Sequence, residues 1–345
     1  MIDIYSLVRP NILNLKAYSS ARHEFEGQAD IYLDANENNI GGVDGKYFRY
    51  PDPLQKNLKE KISKLKNISV ENIFLGNGSD EPIDLLMRVF CEPTKDKIAY
   101  FSPTYGMYKV AADINNVECV EMLLDDDFEI NIEFLSDLDK SVKIIFLCSP
   151  NNPSGNLFCK DKVQYIIENF KGIVVVDEAY IDFSSEPSWI LKIKDYENLV
   201  VLQTFSKAWG LAALRLGMAF ANNKIIDLLN KVKYPYNINI LTQETVIKIL
   251  KKSVLIKQQT EIIKRQRLFL IEQLSKNKHV ERVFPSEANF ILVKFKEDAK
   301  KWYKKLLNNR VVVRDRSNQP LCENSLRITI GTPEENKKVI NLLSN

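Results

Sequence analysis

The sequence predicts a two-domain α/β protein: a large domain on a mainly parallel sheet, a smaller α+β unit behind it and an N-terminal arm in front. Three observations lead there. The chain has 345 residues, more than the roughly 250 to 300 at which a single hydrophobic core stops growing. From residue 73 to residue 221 short apolar runs alternate with helical periodicities, the rhythm of parallel strands joined by crossover helices on both faces of a sheet. Beyond residue 241 the rhythm changes to one long periodic stretch, then shorter strands and two helices. These changes place the arm at 1–45, the large domain at 46–240, and the interdomain helix with the small domain at 241–345.

Composition narrows the function classes. Hydrophobic residues make up 45% and charged residues 27%, the balance of an ordinary globular chain. A net charge of +3, with lysines scattered among acids, is too weak for a nucleic-acid binder. The cysteines are odd in number and form no CxxC pair, so they read as small buried thiols in a reducing compartment. With only His23 and His279 present, no metal site is expected. The start lacks a basic segment followed by an apolar one, and no apolar run approaches the ~18 residues of a membrane span. The expected location is the cytoplasm.

Taken in order, residues 1 to 45 lack sustained periodicity and carry one short strand, Ile31-Tyr-Leu33. Phe48-Arg-Tyr-Pro-Asp-Pro53 is a turn that sets Tyr50 just before a helix. The run Ile73-Phe-Leu75 leads into Gly76-Asn-Gly-Ser-Asp-Glu81 and another helix, so Gly78, Ser79 and Asp80 can offer an anion backbone N–H groups at a positive dipole end. Simple capping by Ser79 or Asp80 is the alternative. Strand 97–101 runs into Ser102-Pro-Thr-Tyr-Gly106, where Tyr105 can cover a flat ring or pack on the sheet edge. Strands follow at 117–123 and 142–147; the second ends in Ser149-Pro-Asn-Asn-Pro-Ser-Gly155, a tightly specified loop carrying Asn152. Gly172-Ile-Val-Val-Val-Asp-Glu-Ala-Tyr180 is a buried strand ending in two carboxylates, but no phosphate-binding GxxxxGK[ST] accompanies it, which removes an ATPase. After strand 199–202 comes Thr204-Phe-Ser-Lys-Ala-Trp-Gly-Leu-Ala-Ala-Leu-Arg215, then strand 216–221, a helix at 225–232 and a turn at 234–237. One long helix is expected over 241–275, strands at 280–284, 290–295, 311–313 and 325–330, and helices near 298–308 and 333–343.

Strand ends are where open α/β sheets place ligands, and the strand ends here complement one cofactor. Lys207 offers an amine to an aldehyde; Gly78, Ser79, Asp80, Thr204, Ser206 and Arg215 offer donors to a phosphate. That pair of demands describes pyridoxal 5'-phosphate (PLP). Its ring nitrogen must stay protonated for the ring to withdraw electrons, which calls for a buried carboxylate such as Asp177. Tyr180 and Asn152 can hydrogen-bond the phenolic oxygen, and Tyr105 can stack.

The order Asn152, Asp177, Tyr180, Lys207, Arg215 resembles that of the fold-type I PLP-dependent aminotransferases. More narrowly, Leu33-Asp-Ala-Asn-Glu-Asn38, Arg49-Tyr-Pro51, Pro103-Thr-Tyr-Gly-Met107, Asp177-Glu-Ala-Tyr180, Leu214-Arg-Leu-Gly217, Val313-Arg-Asp315 and Leu326-Arg-Ile-Thr-Ile-Gly331 resemble the histidinol-phosphate aminotransferase family across nearly the whole chain. Two positions depart from that pattern: Asn39 stands where the family has Pro, and Ala213 where it has Gly. The resemblance implies the three-layer PLP-dependent transferase fold. It implies covalent cofactor attachment at Lys207 and pyridine pairing by Asp177, with Arg327 at the carboxylate-equivalent end of the substrate and Arg314 at its phosphate. It further implies that Tyr18 and Arg22 close over the substrate, and that a homodimer shares its sites through Tyr50. The implied reaction moves an amino group from L-histidinol phosphate to 2-oxoglutarate, giving imidazole acetol phosphate and glutamate in histidine biosynthesis. A PLP-dependent threonine-phosphate decarboxylase has a similar fold and also uses a substrate phosphate. A non-catalytic PLP-binding regulatory module is the other alternative, but such regulators generally carry a DNA-binding domain and no such segment is present.

Overall fold

The apolar runs of the central region are buried along nearly their whole length, as strands of a sheet covered on both faces must be. In the computed structural model, which describes residues 2–18 and 29–344, they form one seven-stranded sheet in the order β1-β7-β6-β5-β4-β2-β3. The strands are β1 (Ile73–Asn77), β2 (Lys97–Ser102), β3 (Glu118–Leu123), β4 (Val142–Cys148), β5 (Ile173–Asp177), β6 (Leu199–Thr204) and β7 (Leu216–Ala221). Neighbours β6, β5, β4, β2 and β3 pair in parallel, whereas β7 runs antiparallel to both β1 and β6. The sheet is thus mixed but mainly parallel, as its sequence rhythm indicated.

On β5, Ile173 and Val175 enter one core and Val174 and Val176 the other. The first core is closed by helices Asp80–Phe90, Met107–Ile114 and Asn223–Val232; the second includes Leu58 and Ile62 of Lys56–Lys66 and Val163, Ile166 and Ile167 of Lys160–Asn169. Apolar side chains leaving both faces of every central strand make a three-layer sandwich.

A second, four-stranded antiparallel sheet has the order β10-β11-β9-β8, from β8 (Val280–Val283), β9 (Phe290–Phe295), β10 (Arg314–Asp315) and β11 (Ser325–Thr329). On β9, Phe290 and Leu292 join the core of the large sheet, while Ile291, Val293 and Phe295 pack under helices Ala299–Asn308 and Pro333–Ser344. One face of the small sheet is thereby seated against the large unit.

Three expectations differ from the structure. The long periodic stretch is two helices, Ile240–Leu250 and Ser253–Ser275, broken where the amide of Lys252 turns back to the carbonyl of Ile249 at 2.8 Å. Residues 31–33 form no strand: Ile31 and Leu33 are 76% and 78% exposed, and among the described residues no strand lies beside them to pair with. The apolar run at 311–313 lies before the short strand β10 rather than in it, with Val312 exposed. Of the cysteines, Cys91, Cys148 and Cys322 are buried as expected, and Cys159 is exposed.

Candidate active site

The cleft forms at the edge where β4, β5 and β6 end. Because β7 is antiparallel, its first residues meet that same edge: Asn77 of β1 lies opposite Leu216, and Thr204 of β6 opposite Gly217. Gly78, Ser79, Tyr105, Asn152, Lys207 and Arg215 therefore share one cleft with Asp177, Tyr180, Thr204 and Ser206.

Asp177 sits on its floor, 2% exposed. Burial pushes its carboxyl up to about 6, against hydrogen bonds from the Tyr108 hydroxyl to Oδ2 at 2.7 Å and from the Ala179 amide to Oδ1 at 3.1 Å. A carboxylate desolvated to this degree gains by meeting a cation, which fits the protonated ring nitrogen of PLP. The second carboxylate of the strand end, Glu178, turns the other way. It accepts from the Ser188 hydroxyl, from the Trp189 amide at 2.7 Å and from the Gln203 amide at 2.9 Å. The Lys207 ammonium lies 5.4 Å from the centre of the Tyr180 ring. Its pKa is held below the ordinary lysine range, chiefly by burial and next by the charge of Arg327.

A cradle for an anion lies opposite. Gly78 takes φ +71°, and its amide donates to the carbonyl of Arg215 at 2.7 Å. A side chain at Gly78 would meet the Arg215 guanidinium at 2.6 Å, so only glycine leaves the arginine room to reach in. Ser79 lines the cleft and heads helix Asp80–Phe90 without capping it, which leaves its hydroxyl and the first helical amides available to an anion. Asp80 plays a different part from a phosphate donor's: its carboxylate accepts from the Tyr105 hydroxyl at 2.9 Å and pairs with Arg215 at 3.3 Å, orienting both. Thr204 likewise spends its hydroxyl on the turn, accepting from the Ser206 amide at 3.1 Å and donating to the Leu216 carbonyl at 3.3 Å. Donors to a phosphate and a buried carboxylate at a ring's far side fit PLP and its charges.

The substrate side is furnished by the small sheet. A guanidinium N–H of Arg327 donates to the side-chain oxygen of Asn152, and the same guanidinium lies 5.2 Å over the Phe290 ring. Arg314 stands directly opposite Arg327 on β10. Tyr50 is not brought into this cleft: half exposed, it stacks on Tyr236 at 4.5 Å beside a separate hollow lined by Glu37, Arg49 and Asn239. Tyr18 is exposed, and Arg22 lies outside the described residues.

Sequence reading passed over Tyr108 and Cys148. Both stood in view, Tyr108 three residues after Tyr105 in the first turn of helix Met107–Ile114 and Cys148 at the last position of β4, but only the fold shows that these positions meet Asp177. Burial holds the Cys148 thiol at about 12, so it lines the floor as a neutral group.

Comparison with known proteins agrees with this geometry. Residues 24–343 match the family model described as aminotransferase class I and II. The chain is 53% identical over 342 residues to the histidinol-phosphate aminotransferase of Christiangramia forsetii, covering 98% of this chain and 96% of that one. Among solved structures, the histidinol-phosphate aminotransferase of Clostridium acetobutylicum superposes with a TM-score of 0.79 at 28% identity, over 86% of this chain and 90% of that one. That of Sinorhizobium meliloti in complex with pyridoxal-5'-phosphate shares the fold with a TM-score of 0.79 at 21% identity, over 90% and 89%.

Tyr108→Phe removes a hydrogen bond that favours ionised Asp177, so the carboxyl pKa should rise and the acid limb of the pH–rate profile should move to higher pH. An unmoved acid limb in a folded variant would confine Tyr108 to packing. Gly217→Ala would place a methyl 2.2 Å from the backbone of Gly78 and Ser79. Overpacking of this kind costs about 1–3 kcal/mol, so melting temperature and cofactor retention should fall together, and unchanged retention would show that the cradle can shift.

Proposed function

Because the chain belongs to the class I and II aminotransferases, enzymes of PLP-dependent amino transfer, we propose that it takes the amino group of L-histidinol phosphate and delivers it to 2-oxoglutarate, a step of histidine biosynthesis. One observation carries the choice of substrate. Arg327 and Arg314 lie opposite each other on one sheet face, Arg327 tied to Asn152 at the cleft and Arg314 exposed, with no carboxylate partner among the described residues. Two such forks suit an elongated substrate with a polar group at one end and a phosphate at the other. In this reading Arg327 meets the hydroxymethyl of histidinol phosphate, or the α-carboxylate of glutamate in the second half-reaction, and Arg314 meets the phosphate. Tyr18 and Arg22 would cover that end.

When bound, PLP supplies an electron sink for the charge left at the substrate Cα. The chain's own residues prepare and use it. Asp177 holds the ring nitrogen's proton, kept in place by Tyr108 and the Ala179 amide. Tyr180 and the free side-chain nitrogen of Asn152 orient the phenolic oxygen, and Tyr105 stacks over the ring. Ser79, Ser206 and Arg215 would hold the phosphate, with Gly78, Asp80 and Thr204 shaping the turns that present them. Lys207 anchors the cofactor and, once released by substrate, moves the Cα proton; burial and the charge of Arg327 favour its neutral amine, the form a base requires.

The proposed assembly is a homodimer in the cytoplasm, in which the partner subunit's Tyr50 reaches the cofactor phosphate. Its support is the position of Tyr50, half exposed outside the Lys207 cleft, and of Ile31, Leu33 and Ile40, whose exposed apolar surface would gain by being covered. The functional units we assign are the arm at 1–45, the cofactor domain at 46–240 and the substrate domain at 241–345. No helix among the described residues is long and apolar enough to cross a membrane.

Given histidinol phosphate, phenylalanine or threonine phosphate singly with 2-oxoglutarate, the holoenzyme should form glutamate fastest with the first. Carbon dioxide release from threonine phosphate without glutamate formation would overturn the assignment. Lys207→Ala should lose both turnover and borohydride-trappable cofactor. Arg314→Ala removes a charge-assisted hydrogen bond of about 1.5 to 3 kcal/mol, so kcat/KM for histidinol phosphate should fall roughly ten- to a hundredfold while the glutamate half-reaction changes much less. Equal losses in both would return Arg314 to a general role. Mixing Lys207→Ala with Tyr50→Phe subunits should restore activity in hybrid dimers; no recovery despite proven exchange would sink the shared site.

A further inference from the structure

Arg316 has no part in the reading above. It nevertheless extends the edge of β10: its amide donates to the Ser325 carbonyl at 2.9 Å, one ladder step beyond the pairs Arg314–Arg327 and Asp315–Leu326. Side chains alternate along a strand, so Arg314, Arg316 and Arg327 share one face, and Asp315 and Leu326 share the other. Leu326 packs under the helices of the small unit, while Arg327 reaches Asn152. The arginine face is therefore the one turned toward the cleft. Asp315 neutralises none of the three, because it points the other way and accepts from the Ser317 amide at 2.9 Å. Among the described residues no carboxylate pairs with any of these guanidinium groups.

The demand is sharpest at Arg316. Its Nε is buried without a hydrogen-bond partner, as are Ser317 Oγ and Gln319 Oε1 in the turn that follows. Buried donors are rarely left unpaired, and a half-buried guanidinium normally has a carboxylate beside it. Burial, and then the charges of Arg327 and Arg314, hold Arg316 down to about 10, so it stays cationic at neutral pH with nothing to balance it. Three cations on one face without a counter-ion make a site for an anion of more than one charge.

We propose that Arg316 is a second anion-binding guanidinium beside Arg314, and that the two together select a phosphate over a carboxylate at the far end of the substrate. The chemical distinction is charge and oxygen count. A carboxylate carries one negative charge and two oxygens, which a single bidentate fork satisfies; a phosphate monoester carries about 1.5 to 2 and presents three oxygens, enough for two forks. The proposal rests on the reading of a phosphorylated donor, but what it asserts is phosphate recognition.

The test uses PLP-loaded parent, Arg316→Gln and Arg316→Lys, with inorganic phosphate as the probe. Three quantities are measured: inhibition of the glutamate half-reaction by phosphate, kcat/KM for histidinol phosphate and kcat/KM for glutamate. Arg316→Gln should weaken phosphate inhibition and kcat/KM for histidinol phosphate by roughly tenfold or more, with glutamate losing under about threefold. Arg316→Lys, which keeps charge but not the fork, should recover part of the loss. Unchanged phosphate inhibition in a variant with the parent's melting temperature would overturn the proposal, and so would equal losses toward glutamate and histidinol phosphate. If the parent proves unable to use histidinol phosphate while phosphate inhibition still depends on Arg316, the substrate reading falls and this one stands.

Discussion

β7 runs against both of its neighbours, and so its first residue lies at the sheet edge where β1 and β6 end. Had it run parallel to them, Arg215 would have emerged at the opposite edge, the length of a strand away at about 3.3 Å per residue. The reversal sets three connections side by side: the turn after β1 with Gly78, the loop after β6 with Lys207 and the entry to β7 with Arg215. Their closeness is backbone to backbone. Gly78 bridges to Leu216, and Gly217 lies so near Gly78 and Ser79 that no side chain could occupy it. The cradle is thus part of the sheet's hydrogen-bond ladder rather than a loop laid over it.

Burial then acts on the groups delivered there, in opposite senses. It raises the Asp177 carboxyl to about 6 and holds Lys207 below the ordinary lysine range, so in each case it favours the neutral form. Glu178 provides an internal comparison. It is as buried as Asp177 and is pushed up to about 7, yet protein donors take up both of its oxygens and none of them belongs to the cleft. Adjacent carboxylates on one strand end thus serve separate ends, one for chemistry and one for fixing Trp189 and Gln203.

What the sequence made legible were the ends of buried strands. Asp177 ends a buried strand, Asn152 and Lys207 lie in the turns just after one and Arg215 directly precedes one, so the fold has only to align the strands for these residues to meet. Tyr108 was not legible because its role depends on which helix face looks at which strand, a tertiary fact with no local signature. The duty of Glu178 was hidden for the same reason: alternation shows that it points away from Asp177 but not that Ser188, Trp189 and Gln203 meet it there. The parting of the expected long helix at Lys251 and Lys252 went unread because no Gly or Pro marks it; lysines are good helix formers, and packing of the two segments overrides their propensity. The strand expected at 31–33 failed differently. Its apolar alternation is real, but a strand needs a neighbouring strand, and the described residues of one chain supply none.

That last failure bears on how the site is completed. Tyr50 lies outside the Lys207 cleft, yet its surroundings are fixed as firmly as the cleft itself. The Lys233 ammonium gathers the carbonyls of Pro53 at 2.8 Å, Tyr234 at 3.1 Å and Pro235 at 2.8 Å, which clamps the turn after Tyr50 to the turn that carries Tyr236. From there Asn237 donates to the Leu75 carbonyl at 2.9 Å and to Glu81 at 3.0 Å, and Glu81 accepts from the Asn77 amide at 2.5 Å. One continuous hydrogen-bonded path therefore joins the outward Tyr50–Tyr236 stack to the first turn of the helix that begins at Asp80. A surface aromatic with no further duty gains little from such anchoring. In the proposed homodimer, that anchoring would keep Tyr50 in register with its own subunit's cradle, because any slip between the two would misplace one site whenever the other was aligned.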